Sequence, residues 1–177
     1  MIYVIIKLKD IFVFSNSKQK TKISMNICSN TDERYINFAI EEAQKSVVGF
    51  RHGCVAVASG KIIARGFNSD RTISRDGLIG KMCSCHAEID VLRKCLKRGM
   101  SKKISLYIVR ITFDNKITSS MPCVECYKRM SQFSIRTIIY SDYRGRLIKI
   151  PMKEFKPIHI SSGTKALQNN RITPLIK

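Results

Sequence analysis

The spacing of hydrophobic positions changes along the chain, and the changes divide it into elements. Ile36, Ile40, Ala43 and Val47 recur at intervals of three and four, which predicts one apolar helix face over about Asp32 to Val47. Asn30 stands where an N-cap belongs, with Glu33 three residues on as the return partner of a capping box. Gly49 stands where a left-handed C-terminal residue is expected. Two β-rich runs follow, CVAVAS and KIIARGF, joined as a hairpin at Ser59-Gly60. Residues 69 to 85 have no regular period. A second helix is expected from about His86 to Arg98, with Ile89, Leu92 and Leu96 on its apolar side and Gly99 ending it. SLYIVRIT, 105 to 112, reads as a strand and FDNKITSS as a loop. Cys123 to about Phe133 reads as a third helix with Cys123, Cys126, Met130 and Phe133 on one face. RTIIYS, 136 to 141, and LIKI, 147 to 150, are the last strands, and no clear period follows Pro151.

This order of elements predicts an α/β fold, a three-layer α/β/α sandwich around a mixed five-stranded sheet. Only a short turn joins the last two strands. A parallel pair needs a crossover of roughly a dozen residues, so these two should be antiparallel. The opening differs in character from the rest: an apolar stretch, then the polar and basic SNSKQKTK. Residues 1–24 therefore read as an extension and linker, 25–160 as one domain, and 161–177 as a tail. A chain of 177 residues suits a single core.

Composition narrows the function classes. The first apolar stretch is interrupted by Lys7, Lys9 and Asp10, so neither a membrane span nor a signal peptide is expected. Seven Cys without a secretory signal point to a reducing, cytoplasmic setting, where clustered Cys suggest metal or catalysis and not disulfides. The 32 Lys and Arg against 13 Asp and Glu, formally +19, favour anionic partners, either nucleotides or nucleic acid. The basic residues are spread along the chain, which also suits a general bias on a solvated surface.

Two segments carry candidate chemistry: Cys85-His86-Ala87-Glu88 and Pro122-Cys123-Val124-Glu125-Cys126. One imidazole and two thiolates are good zinc ligands, and three protein ligands leave the fourth tetrahedral position open, as catalysis requires. Cys123 and Cys126, three apart at a helix start, face the same way, and the helix N-terminus favours their thiolate form. Glu88, two residues past His86, is a carboxylate placed to carry protons, and zinc lowers the pKa of the water it holds to about 7. The rival is a closed structural zinc site of Cys83, Cys85, Cys123 and Cys126, which leaves Glu88 and Pro122 without a role. Cys85 also reads as a small buried group. His52 and His159 have no partner pattern and read as ordinary surface or capping residues.

The H-x-E and P-C-x-x-C pair resembles the zinc-dependent cytidine and deoxycytidylate deaminase superfamily, and the resemblance covers most of residues 32 to 150. It implies the cytidine deaminase-like fold and one catalytic Zn²⁺ per chain, held by His86, Cys123 and Cys126. It makes Glu88 the proton shuttle. Gly66-Phe67-Asn68 is similar to the family's strand-ending Gly-aromatic-Asn, which makes Asn68 a substrate contact. Ala87 and Pro122, inside the two motifs, are expected beside it. Arg71, Arg75 and Lys81 are candidates for holding a substrate phosphate, or else form a solvated loop, and Asp70 is a candidate for a ribose hydroxyl. The short turn before the last strand is similar to the free-nucleoside branch, whereas the stretches between Asn68 and His86 and between His86 and Cys123 are longer than in small cytidine deaminases. The expected activity is hydrolytic deamination of a cytosine nucleoside or nucleotide by a homo-oligomer. The alternatives are deamination of a base in RNA or DNA and a non-catalytic, zinc-stabilised binding module.

Overall fold

The computed structural model describes residues 28–80, 83–99 and 102–172. The expected extension 1–24 and Lys81 lie outside them. The elements run α1 (Asn30–Gln44), β1 (Arg51–Ala58), β2 (Lys61–Phe67), α2 (Ala87–Lys97), β3 (Ile104–Ile111), β4 (Ile117–Thr118), α3 (Val124–Met130), β5 (Ile135–Ser141), β6 (Leu147–Pro151), a 3₁₀ turn (Met152–Glu154) and α4 (Ser162–Gln168). The strands form one mixed sheet in the order β2-β1-β3-β5-β6, with the two-residue β4 paired to β3. Only β3 and β5 are parallel, and the last pair, β5 and β6, is antiparallel, as the short connection requires.

Strand alternation builds two cores on the sheet's two faces. Val55, Val57, Val109 and Ile111 pack against Tyr35, Ile36, Ala39 and Ala43 of α1. Cys54, Ala56, Leu106 and Ile108 pack against Ile89, Leu92, Cys126 and Met130 of α2 and α3. The result is the expected three-layer sandwich. Gly53 lets β1 approach α1 closely: a Cβ there would lie 1.9 Å from the Ala39 carbonyl oxygen. The hairpin turns at Ser59 (φ 48°) and Gly60 (φ 74°), both left-handed as a tight two-residue turn demands.

Several expected boundaries shift. The α1 cap is Ser29 with Asp32, one residue earlier than Asn30 with Glu33: the Ser29 side chain accepts from the Asp32 amide, and Asp32 accepts from the Ser29 amide. Both pairs fit a capping box, and tertiary contacts decide between them. Asp32 also accepts from Tyr107 Oη at 2.8 Å and from Lys149 Nζ at 2.7 Å. The helix ends at Gln44, so Val47 is 89% exposed instead of core, and Gly49 lies outside the left-handed region. On α2 the inward position is Cys95, while Leu96 is 50% exposed. Gly99 does close α2 in the left-handed conformation, at φ 63°. The third helix stops at Met130, three residues short of Phe133. The segment FDNKITSS contains β4, and the stretch after Pro151 contains the 3₁₀ turn and α4, capped by Ser161 on the Thr164 amide.

Candidate metal centre

Two helix starts meet on the α2/α3 side of the sheet. His86 is the N-cap residue of α2 and Cys123 the N-cap residue of α3. Non-helical backbone at a cap turns the side chain across the helix end, so both residues face the gap between the helices. Cys126, one turn into α3, reaches the same gap. His86 Nδ1 lies 3.1 Å from Cys126 Sγ and 3.7 Å from Cys123 Sγ, and the three ligand atoms lie within 4.8 Å of one another. The two Cys are buried, and His86 is partly exposed. Cys83 and Cys85 stay outside this group: Cys83 Sγ donates to the Gly163 carbonyl at 3.1 Å, and Cys85 is buried with its thiol toward the His86 carbonyl. The four-thiolate alternative therefore has no geometry here.

The electrostatics suit a cation. A hydrogen bond from the Cys126 thiol brings the Cys123 thiol down to about 3 against the effect of burial, with His86 helping. Cys123 Sγ also accepts from the Cys126 amide at 3.5 Å, the N-cap bond that favours a thiolate. Cys126 keeps its proton, pushed up by its bond to Cys123 and by burial; a divalent ion would displace it. One imidazole nitrogen and two sulfurs, with His86 leaving the group open on one side, fit zinc with a vacant fourth position.

Glu88 is buried beside this group, 4% exposed. Burial raises its carboxyl above the usual value, with His86 opposing and Cys123 reinforcing the shift. Glu125, inside the Cys-x-x-Cys, is turned away into ion pairs with Lys128 and Arg129.

The remaining expected residues separate. Ala87 and Pro122 are buried within the two motifs. Asn68 is also buried, and its amide braces the end of β1: Oδ1 accepts from the His52 amide at 2.7 Å and Nδ2 donates to the Phe50 carbonyl at 2.5 Å. The irregular stretch after it is closed by paired hydrogen bonds between Ser69 and Cys85. It is pinned by the Asp76–Arg93 ion pair at 2.8 Å and by Arg129 Nε donating to the Leu78 carbonyl. Asp70 is exposed. Arg71 and Arg75 line a groove of about 510 Å³ with Arg93 and Lys97, on the outer side of α2; His86, Cys123 and Cys126 do not line it.

Two residues on the metal side of the sheet had no signal in the motifs. His52 and Arg110 are directly paired across β1 and β3, and Asn68 extends the row by bonding to His52 in both directions. His52 precedes Cys54, and Arg110 follows Ile108, each by two residues, and Cys54 and Ile108 belong to the core that contains Cys123 and Cys126. Alternation therefore places His52 and Arg110 on the metal side. Burial holds the His52 imidazole down at about 4, its bond to the Phe50 carbonyl opposes this, and the fields of His86 and Arg110 add to the lowering. The alternating pattern of the first strand, extended two residues before Cys54, is the signal that would have found His52.

Residues 29–142 match the family model described as the cytidine and deoxycytidylate deaminase zinc-binding region. No curated protein matches the chain. Among solved structures, cytidine deaminase from Burkholderia pseudomallei superposes with a TM-score of 0.53 at 18% identity, over 69% of this chain and 93% of that one. The dCMP deaminase of cyanophage S-TIM5 in apo form gives a TM-score of 0.49 at 21% identity, over 66% and 86%. At such identities the first of these likenesses shows the fold alone. The family model spans 114 of the 177 residues, from 29 to 142, and holds the whole His86, Glu88, Cys123 and Cys126 constellation, so the chain belongs to the cytidine and deoxycytidylate deaminase family.

Proposed function

We propose that the protein is a zinc-dependent hydrolase that replaces the exocyclic amine of a cytosine nucleoside or nucleotide with oxygen and releases ammonia. The observation that carries this reading is the buried carboxyl of Glu88 beside a three-ligand, open-sided cluster of His86, Cys123 and Cys126. Bound zinc, one per chain, supplies an acidified water. Glu88 would take one proton from the attacking water and pass it to the ring nitrogen, then take the second from the added hydroxyl as the carbonyl forms and hand it to the amine, which leaves as ammonia. Burial, which raises the Glu88 carboxyl above the ordinary value, favours a group that accepts a proton as well as returning it. Asn68, with its amide already bridging Phe50 and His52, offers its remaining lone pair and N–H to base or sugar.

A non-catalytic module has no need of a carboxyl buried without a salt bridge among the described residues, which is costly to keep. The second reading, a base within RNA or DNA, is favoured by the formal charge of +19. The experiment is ammonia release by zinc-loaded protein from cytidine, deoxycytidine, their monophosphates and single-stranded oligonucleotides. Turnover of the small compounds is expected; turnover of oligonucleotides alone moves the assignment to the second reading, and no turnover of any of them refutes both.

A further inference from the structure

Arg110 is a half-buried cation with no carboxylate partner among the described residues. Half-buried guanidinium groups are ordinarily paired, because desolvation without a counter-charge is unfavourable. Its neighbour Arg51 is engaged elsewhere: it donates to the Thr112 carbonyl and to Asn115 Oδ1, and alternation turns it toward the α1 side. Arg110 is instead held over the Phe50 ring, with the guanidinium carbon 4.6 Å from the ring centroid. That stack fixes the plane of the fork, so its N–H groups are pre-oriented at the metal side of the sheet. Next to it in the row, His52 is fixed through Nδ1 on the Phe50 carbonyl at 3.1 Å, which leaves Nε2 free.

The phosphate candidates on the irregular loop, Arg71 and Arg75, line the groove outside α2. The row Asn68, His52, Arg110 runs from the residue after β2 across β1 to β3, on the sheet face whose core holds Cys123 and Cys126. A base bound with its amine at the cluster and its sugar directed along that row would bring its 5′ end toward Arg110. Resting on the deaminase reading above, we propose that Arg110 binds the 5′-phosphate of the substrate, so that the protein acts on a pyrimidine nucleoside monophosphate in preference to the free nucleoside. A charge-assisted fork on a phosphate is worth roughly a 10- to 100-fold preference.

Calorimetric titration of the zinc-loaded protein with uridine, deoxyuridine and their 5′-monophosphates tests this without turnover. The monophosphates should bind about 10- to 100-fold more tightly. Arg110→Gln should remove most of that ratio, and Arg110→Lys should keep part of it. Zinc content of the Arg110→Gln protein should stay at the wild-type level, since the side chain is assigned to substrate and not to the thiolates. Equal affinities in the wild type, a ratio that survives Arg110→Gln, or a loss of zinc with the ratio unchanged overturns the proposal. Ammonia release is measured in parallel. Its absence from every cytosine compound, with the affinity ratio intact and Arg110-dependent, refutes the deaminase reading alone.

Discussion

Glu88 is placed by its position in α2, two residues past a cap whose side chain is one of the three candidate metal ligands. It should therefore be separable from metal binding. Glu88→Ala is expected to keep its zinc, measured by elemental analysis, while ammonia release falls by at least about 10²-fold. Loss of zinc in that variant would make Glu88 a ligand. Asp32 shows how a single carboxylate joins distant segments. Burial pushes its pKa up, but the bonds from Lys149, Ser29 and Tyr107 prevail and hold it below its ordinary value of 3.8. Because the folded value is the lower one, Asp32 stabilises the fold fully above about pH 4, and this stabilisation is lost as pH falls through the folded value. Asp32→Asn should cost about 1–3 kcal/mol at pH 7 and much less in strong acid, as denaturant melts at the two pH values would show; an equal loss at both would sink the charge argument. The His86, Glu88, Cys123 and Cys126 constellation was legible in the sequence because each half lies within a few contiguous residues. His52 and Arg110 were not, because their roles depend on which residues face each other across β1 and β3, and strand register is a product of the whole sheet.

The elements repeat that lesson. Strands were legible where a buried face forces alternation, and helices where an apolar stripe is long. What escaped was short or governed from afar: β4 has two residues, α4 has seven, and the capping frame of α1 is chosen by Lys149 and Tyr107. The close approach of β1 to α1 was equally hidden, since nothing near Gly53 in sequence announces that Ala39 and Ala43 lie against it. Gly53→Ala places a methyl 1.9 Å from the Ala39 carbonyl oxygen and 2.5 Å from the Ala43 nitrogen. Both are backbone atoms of a helix and cannot yield without moving α1. A loss of about 1–3 kcal/mol or more is expected for this overpacking, readable as a lower melting temperature. A Gly53→Ala protein as stable as the wild type would show that α1 is free to shift.

At the scale of the whole molecule, the His86, Cys123 and Cys126 cluster joins α2 to α3 across 37 residues of chain, and the binding energy of a metal held there would be folding energy. The sheet order has a consequence for the timing of assembly. β1 finds β3 more than 40 residues away in sequence, with β2 and α2 between, and His86 meets Cys123 and Cys126 only once that pairing and the β3–α3–β5 crossover are in place. A metal held by His86, Cys123 and Cys126 is therefore expected to bind on the native side of the folding barrier. Interactions absent from the transition state slow unfolding and leave folding almost untouched. In stopped-flow experiments with and without a chelator, zinc should lower the unfolding rate severalfold or more while the refolding rate stays nearly constant. A refolding rate that rises with zinc would mean that the two helix starts meet before the sheet closes. On this reading the metal would be a latch set after assembly, and a cell starved of zinc would still make the fold at its usual speed but lose it sooner.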